Sequence, residues 1–217
     1  MKFDNLLKNS LFKNCDLSSI EKILDSEKII LKTYEKDSII VQEYEECKSI
    51  GFIIKGSLYV NEILENGDTL RIKLYKENDS FGCALFGANN KNYPFTLISY
   101  EYSEIIHIPF NEIQNLLFQD KVFMNNFINF LSNNILFLKD KIKILSLKNV
   151  RSKLLFYLSK NTKNGITHMN HTKTEITKIL GIARGSISRE LKKMEQENII
   201  QFIDKKTLKI LTNNLNI

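Results

Sequence analysis

The sequence lacks the features that mark disulfide-stabilised, membrane-spanning and secreted proteins. Its 217 residues contain three cysteines, Cys15, Cys47 and Cys83, which are too few and too widely spaced for a disulfide framework or a Cys-x-x-Cys pair. No apolar run approaches the roughly 18 residues that a transmembrane helix needs. The polar N-terminus has no signal-peptide apolar stretch. We therefore expect a globular protein of the cytoplasm with no membrane partner.

Motifs of the common enzyme classes are also missing. The chain has no nucleophile elbow, no phosphate-binding glycine loop and no paired metal-ligand motif. The spacing of His168 and His171 would suit a metal on a helix, but we expect a strand and a turn there, with no cysteine or carboxylate partner. We predict that the protein is not an enzyme, with no catalytic residue and no metal site.

Charge is distributed unevenly along the chain. Residues 1–146 carry 17 Lys or Arg and 20 Asp or Glu, a net charge of −3, whereas residues 147–217 carry 14 and 5, a net charge of +9. A small basic region behind an acidic one is expected of a nucleic-acid-binding module attached to another domain. A solubilising lysine surface would give the same count, so charge alone leaves both interpretations open.

Hydrophobic periodicity predicts a first domain over residues 1–119. Residues 1–26 show helical spacing, and residues 28–109 consist of short β runs separated by turns. Asn66-Gly67-Asp68 between two of these runs is a strong hairpin signal. Short strands at such close spacing are typical of a β-roll, barrel or sandwich, so we predict an α+β protein.

A long helix is predicted next, with residues 120–146 acting as a dimerisation helix. One apolar seam recurs at alternating spacings of four and three: Met124, Ile128, Leu131, Ile135, Leu138, Ile142 and Leu145. Isoleucine at one core position and leucine at the other favour a parallel two-stranded coiled coil. The alternative is a helix packed on its own domain. A second set of apolar residues, which we expect to pack on the β-roll, lies outside the seam: Phe127, Phe130, Leu136, Phe137 and Ile144.

The last part, residues 147–217, has the pattern of a winged helix-turn-helix. Thr172 and Glu175 form a capping box, and Gly181 ends that helix with a residue that tolerates a left-handed backbone. A helix over residues 183–197 follows, and residues 199–211 form a hairpin that serves as the wing. The second helix buries three residues at spacings of four and three: Ile187, Leu191 and Met194.

The outer face of that second helix carries groups suited to DNA. Arginine can bond bidentately to guanine, and serine can bond to either type of base edge. The predicted base-reading residues are Arg184, Ser186, Ser188 and Arg189. Lysines position a protein on phosphates without specifying sequence. The predicted phosphate contacts are Lys173, Lys192, Lys205 and Lys206. A generic helical hairpin is the alternative, but it would not combine cap, glycine turn, wing and positive charge.

These residues resemble the Crp/Fnr family of bacterial regulators over nearly the whole chain. Residues 172–200 are similar to the family's helix-turn-helix, residues 51–60 (GFIIKGSLYV) to its β-roll strand and turn, and Phe81-Gly82 to the start of its nucleotide-phosphate segment. The resemblance implies a cyclic-nucleotide-binding-like β-roll of the double-stranded β-helix or jelly-roll type. It also implies a dimerisation helix and a C-terminal winged helix-turn-helix.

The chain departs from the family at the effector pocket, whose candidate residues are Gly82, Cys83, Tyr93 and Leu138. Family members that bind cyclic AMP have a glutamate for the ribose and an arginine for the phosphate, where this chain has Cys83 and Tyr93. A Thr-Ser pair that contacts adenine is replaced by Leu138-Lys139. The resemblance therefore predicts an effector other than cyclic AMP, or none, and no cofactor. In the recognition helix, Gly185 replaces the family's common glutamate.

The sequence is consistent with two functions. The first is a homodimeric transcription regulator that binds an inverted repeat in double-stranded DNA, with RNA polymerase as a further partner if it activates. The alternative is a ligand- or redox-sensing regulatory module without DNA binding. The basic C-terminal region favours the first.

Overall fold

The structure is a computed structural model that describes residues 5–24, 27–63, 69–169, 171–204 and 206–211. The chain divides into two compact units, Met1–Asn134 and Ile135–Ile217. The α+β class is confirmed, with antiparallel sheets and segregated helices. In these described ranges, no helix is both long enough and apolar enough to cross a membrane.

The first unit begins with helical segments and continues as a roll of strands. Two 3-10 turns, Leu6–Lys8 and Ser10–Phe12, precede helix α1 (Leu17–Leu24). The strands are β1 (Ile30–Tyr34), β2 (Ile39–Val41), β3 (Ser49–Lys55), β4 (Leu58–Ile63), β5 (Thr69–Tyr75), β6 (Ser80–Phe81), β7 (Thr96–Ser99) and β8 (Ser103–Pro109). Helix α2 (Cys83–Phe86) interrupts them. The predicted hairpin turn Asn66-Gly67-Asp68 lies outside the described residues.

Two antiparallel sheets form the roll, in the orders β1-β8-β3-β6 and β2-β7-β4-β5. Successive side chains of a strand point to opposite faces, so a strand of the first sheet can serve two cores. Ile106 and Ile108 pack with the helices in a cluster that contains Phe123, whereas Ile105 packs inside the roll with Leu97. The roll is therefore packed on both faces of its first sheet.

The long helical stretch is broken at one residue. Helix α3 (Phe110–Gln119) ends at Asp120, and helix α4 (Lys121–Ser146) begins directly after it. Asp120 has an extended backbone, and its buried carboxylate accepts hydrogen bonds from the N–H groups of Val122 (2.7 Å), Phe123 (3.0 Å) and Asp16 (3.1 Å). Asp120 therefore caps α4 and ties it to the N-terminal segment.

The second unit contains the expected helices and wing. They are α5 (Val150–Lys160), β9 (Thr162–Lys163), β10 (Ile166–His168), α6 (Lys173–Leu180), α7 (Arg184–Gln196), β11 (Ile200–Phe202) and β12 (Thr207–Ile210). The strands form one sheet in the order β11-β12-β10-β9, so the wing hairpin is extended by the strands before α6.

Part of the packing expected for α4 is wrong. Phe127 is buried and Phe130 half-buried in the core of the first unit, as expected. Leu136 and Phe137, however, are 56% and 57% exposed, and Ile144 is buried in the core of the second unit instead of on the roll. Helical periodicity reveals that a face is apolar but not which domain covers it.

Candidate nucleic-acid interface and effector pocket

Local interactions fix both ends of α6, the first helix of the helix-turn-helix. Thr172 Oγ1 accepts a hydrogen bond from Glu175 N at 3.2 Å, and Thr172 N donates to Glu175 Oε2 at 2.7 Å. Gly181 ends the helix in the left-handed region, at φ 63° and ψ 42°. Both predicted signals are therefore confirmed, and they set the point at which α7 begins.

Helix α7 separates a buried face from an exposed one. Ile187, Leu191 and Met194 are all buried, as the spacing predicted. Arg184 and Arg189 are exposed, while Ser186 and Ser188 are half-buried beside them. The four predicted base-reading residues thus lie together in the first half of one helix, and Arg189 Nε donates weakly to Gly185 O at 3.4 Å.

Three of the predicted phosphate contacts lie on different elements of the second unit. Lys192 is exposed on α7, and Lys206 is exposed in the turn of the wing. Lys173, in the first turn of α6, places its Nζ 3.3 Å from Ser188 Oγ, so its ammonium group lies beside the base-reading residues. Lys205 lies outside the described residues.

An acidic residue shapes the wing turn. Asp204 Oδ1 accepts hydrogen bonds from the backbone N–H groups of Lys206 at 2.7 Å and Thr207 at 2.8 Å. These bonds lower the pKa of Asp204, the bond from Lys206 contributing most. An aspartate at the start of a turn commonly bonds the backbone two residues on, as Asp204 does here.

Two sets of hydrogen bonds made by cationic side chains in the second unit were missed by sequence reasoning. Arg151 on α5 bonds Glu190 of α7 and Glu197, the residue directly after α7, each at 2.6 Å, and the bonds to Glu197 and Glu190 raise its pKa. Lys141 Nζ donates to Ile179 O at 2.7 Å, at the C-terminal end of α6. Cations near a helix C-terminus are stabilising. Neither arrangement has a local sequence signal, because the partners are 38 to 46 residues apart.

Of the four predicted effector-pocket residues, Gly82 lies close to Tyr93, whereas Cys83 packs in a different core. Cys83 and Tyr93 are both 4% exposed, and Gly82 has a left-handed φ of 85°. A Cβ atom on Gly82 would lie 3.1 Å from Cys47 Sγ and 3.5 Å from Tyr93 Oη, which shows how closely the segments meet. Leu138 belongs to the second unit and is 58% exposed.

Cys47 is the pocket residue that sequence reasoning missed. Its thiol donates to Tyr93 Oη at 3.0 Å, and both side chains are buried inside the roll. Burial raises the pKa of both groups, so both are protonated near neutral pH. Cys83 faces the helical core instead, with Sγ 3.4 Å from Ser80 Oγ. The positions that would hold an acid and an arginine therefore carry the thiol of Cys83 and the neutral phenol of Tyr93.

A half-buried histidine lies in the same roll. His107 Nε2 is 3.3 Å from Tyr34 Oη, and Nδ1 is 3.4 Å from Ser49 Oγ. Burial, with a smaller effect from Lys32, lowers the pKa of His107 to about 4. The ring is therefore neutral at neutral pH. Among the described residues, no group of three or more His, Cys, Asp or Glu could hold a metal ion.

The predicted seam on α4 is largely exposed in the isolated chain. Ile128, Ile135, Leu138, Ile142 and Leu145 are between 53% and 74% exposed. Met124 and Leu131 are half-buried, and Leu131 packs against the core of the first unit. A row of exposed isoleucine and leucine on one helix needs a covering partner.

Comparison with known proteins agrees with this architecture. Residues 31–120 match the cyclic nucleotide-binding domain. Global nitrogen regulators from Nostoc sp. and Synechocystis sp. are each 20% identical to the chain. The first aligns over 82% of this chain and 83% of the relative, and the second over 91% and 92%.

Solved structures share the fold along nearly the whole chain. The catabolite activator protein of Thermus thermophilus has a TM-score of 0.56 at 14% identity and covers 93% of each chain. DNR from Pseudomonas aeruginosa has a TM-score of 0.54 at 19% identity and covers 98% of this chain and 95% of its own. The chain therefore contains a cyclic nucleotide-binding domain and shares its overall fold with these solved structures.

Proposed function

We propose that this protein binds an inverted-repeat operator in double-stranded DNA as a homodimer and thereby regulates transcription. The observation that carries the proposal is α7, whose inner face is buried and whose outer face presents Arg184, Ser186, Ser188 and Arg189. The net charge of +9 over residues 147–217 supplies the attraction to phosphate that DNA binding needs.

The side chains of this surface divide by role. The two arginines and two serines of α7 read base edges in the major groove. Lys173, Lys192, Lys206 and Lys205 contact phosphates, which fixes the position of α7 without specifying sequence. Because Gly185 offers no side chain, this position reads no base.

The chain has three functional parts in this proposal. Residues 1–119 form the sensor, residues 120–146 pair with a second copy, and residues 147–217 bind DNA. Exposed isoleucine and leucine along α4 support a parallel pair of helices. Two-fold symmetry would then place the recognition helices one DNA turn apart, about 34 Å. With DNA as its partner the protein acts in the cytoplasm, not at a membrane, and an activator would also contact RNA polymerase.

The proposed sensor does not use cyclic AMP. Cys83 and Tyr93 stand where a carboxylate and a guanidinium would be needed, and Tyr93 is bonded to Cys47 in the packed interior of the roll. Another small molecule, or none, controls the protein, and no cofactor is required.

Selection of bound sequences from a random DNA pool tests the function. Full-length protein should enrich an inverted repeat with half-sites about one helical turn apart. Arg184→Ala/Arg189→Ala protein, with the same fold by circular dichroism, should enrich no sequence. Failure of the wild-type protein to bind any duplex would favour a ligand- or redox-sensing module without DNA binding.

A further inference from the structure

His171 is exposed, lies outside the recognition helix and has no role in the site described above. It directly precedes Thr172, the cap of α6, and Lys173, the first residue of α6, comes next. In the part of the chain that the structure describes, it is in no group of side chains able to hold a metal. The spacing of His168 and His171 therefore needs another explanation, and the two rings have different surroundings.

A buried tyrosine holds the ring of His171. Tyr157 on α5 is 5% exposed, and its Oη lies 3.0 Å from His171 Nδ1. Burial raises the pKa of Tyr157, so its phenol is protonated near neutral pH and has an O–H that can donate to Nδ1. A neutral ring whose Nδ1 accepts then carries its proton on Nε2, on the other side of the ring.

The segment around His171 lies on the DNA side of the proposed interface. Lys173 Nζ is 3.3 Å from Ser188 Oγ on α7, so the start of α6 and the base-reading face are adjacent. In a helix-turn-helix, the first helix crosses the DNA backbone while the second enters the major groove. A donor just before α6 is therefore placed to meet a phosphate.

We propose that His171 donates its Nε2–H to a DNA phosphate and that Tyr157 is the positioning residue that fixes the ring for this bond. The proposal rests on the proposed function, which supplies the DNA. A neutral donor of this kind contributes a hydrogen bond without displacing a counterion. Its removal should therefore weaken binding without changing the salt dependence, unlike the removal of a lysine.

His168 provides a matched control in the same unit. It is also exposed, but it ends β10, and its Nδ1 lies 3.5 Å from Thr207 Oγ1 of the neighbouring strand. The His168→Ala change also removes one exposed imidazole from this unit. His168→Ala should leave DNA affinity unchanged.

The experiment measures the affinity of full-length variants for the selected operator and for point variants of it, at a single pH of 8.5. Removing a neutral hydrogen bond should weaken binding on the order of threefold to tenfold per half-site. His171→Ala should show this weakening equally on every sequence, with an unchanged dependence on salt. Lys206→Ala should instead flatten the salt dependence by about one unit for each phosphate that the lysine neutralises.

Two further variants separate positioning from folding. Tyr157→Phe should weaken binding in the wild-type background but not in the His171→Ala background, because the phenol acts only through the ring. His171→Gln, whose amide can donate from the place of Nε2, should restore most of the affinity. Unfolding temperatures of all variants show whether the second unit remains folded.

Different failures point to different errors. If the wild-type protein binds no selected DNA, the proposed function is wrong and the His171 bond to phosphate is wrong with it. If the wild-type protein binds and His171→Ala binds equally well, only the His171 bond is wrong. Equal weakening by Tyr157→Phe in both backgrounds would show that the phenol acts independently of the ring and would overturn its positioning role.

Discussion

At the scale of single residues, the interior of the roll shows what sequence could and could not predict. The replacements at Cys83 and Tyr93 are visible in the sequence, and they predicted a pocket unlike that of cyclic AMP-binding relatives. The bond between Cys47 and Tyr93 was not predictable, because the residues are 46 positions apart and meet only through the fold. Cys47 and Cys83 likewise reach different cores although neither lies in a strand, and no local pattern distinguishes them.

Cyclic AMP should therefore bind without useful affinity. A desolvated phosphate with no cation forgoes a charge-assisted bond worth about 1.5–3 kcal/mol, before the missing ribose contact is counted. Isothermal calorimetry should detect no heat of binding at micromolar nucleotide. A Tyr93→Arg variant is the matched comparison. Micromolar affinity in the wild-type protein would contradict this description of the pocket.

His107 should make stability depend on pH. Its pKa is lowered to about 4 in the folded protein, from an ordinary 6.5. Between those values the unfolded chain binds a proton that the folded chain does not, so the free energy of unfolding falls as pH drops from 6.5 to 4. The decrease amounts to about 3 kcal/mol at most.

The comparison for this prediction is His107→Gln, which keeps hydrogen-bonding groups near Tyr34 and Ser49 but does not titrate. Urea unfolding of both proteins between pH 7.5 and 4.5 should show a steeper decrease of stability for the wild type. Parallel curves would mean that His107 is not half-buried as the structure shows.

At the scale of elements, local signals predicted structure where local interactions determine it. The capping box at Thr172 and the turn at Gly181 involve neighbours only, and both were correct. The break at Asp120 has no proline or glycine to signal it. It depends partly on the bond to Asp16, which is 104 residues away. The packing predicted for Leu136 and Ile144 was wrong for a related reason, because α4 contributes to the cores of two units.

The seam of α4 should hold two copies of the chain together. Ile135→Lys would bring two ammonium groups together in an apolar groove, at a cost of several kcal/mol. Sedimentation equilibrium should show monomers for this variant. Asn133→Lys adds the same charge at an exposed position outside the seam of the same helix and should leave the dimer intact. A native-like dimer for Ile135→Lys would mean that the seam is misassigned.

At the scale of the whole molecule, different side chains read the operator and position the protein on it. Sequence periodicity and charge predicted the order of sensor, long helix and winged helix-turn-helix, and the resemblance to the Crp/Fnr family added the kind of roll. Neither could predict the ion pairs of Arg151 with Glu190 and Glu197, which join α5 to α7 and the residue after it. Such pairs form only after the helices pack. The orientation of α7 therefore depends on both local and long-range contacts.

The most direct test measures DNA affinity for Arg189→Ala and Lys206→Ala on the selected operator and its single-base variants. Arg189→Ala should cost about 1–3 kcal/mol and relax preference at one base pair per half-site. Lys206→Ala should weaken all sequences alike and reduce the salt slope by about one. If Arg189→Ala leaves sequence preference intact while Lys206→Ala alters it, α7 does not read the operator, and the central claim is wrong.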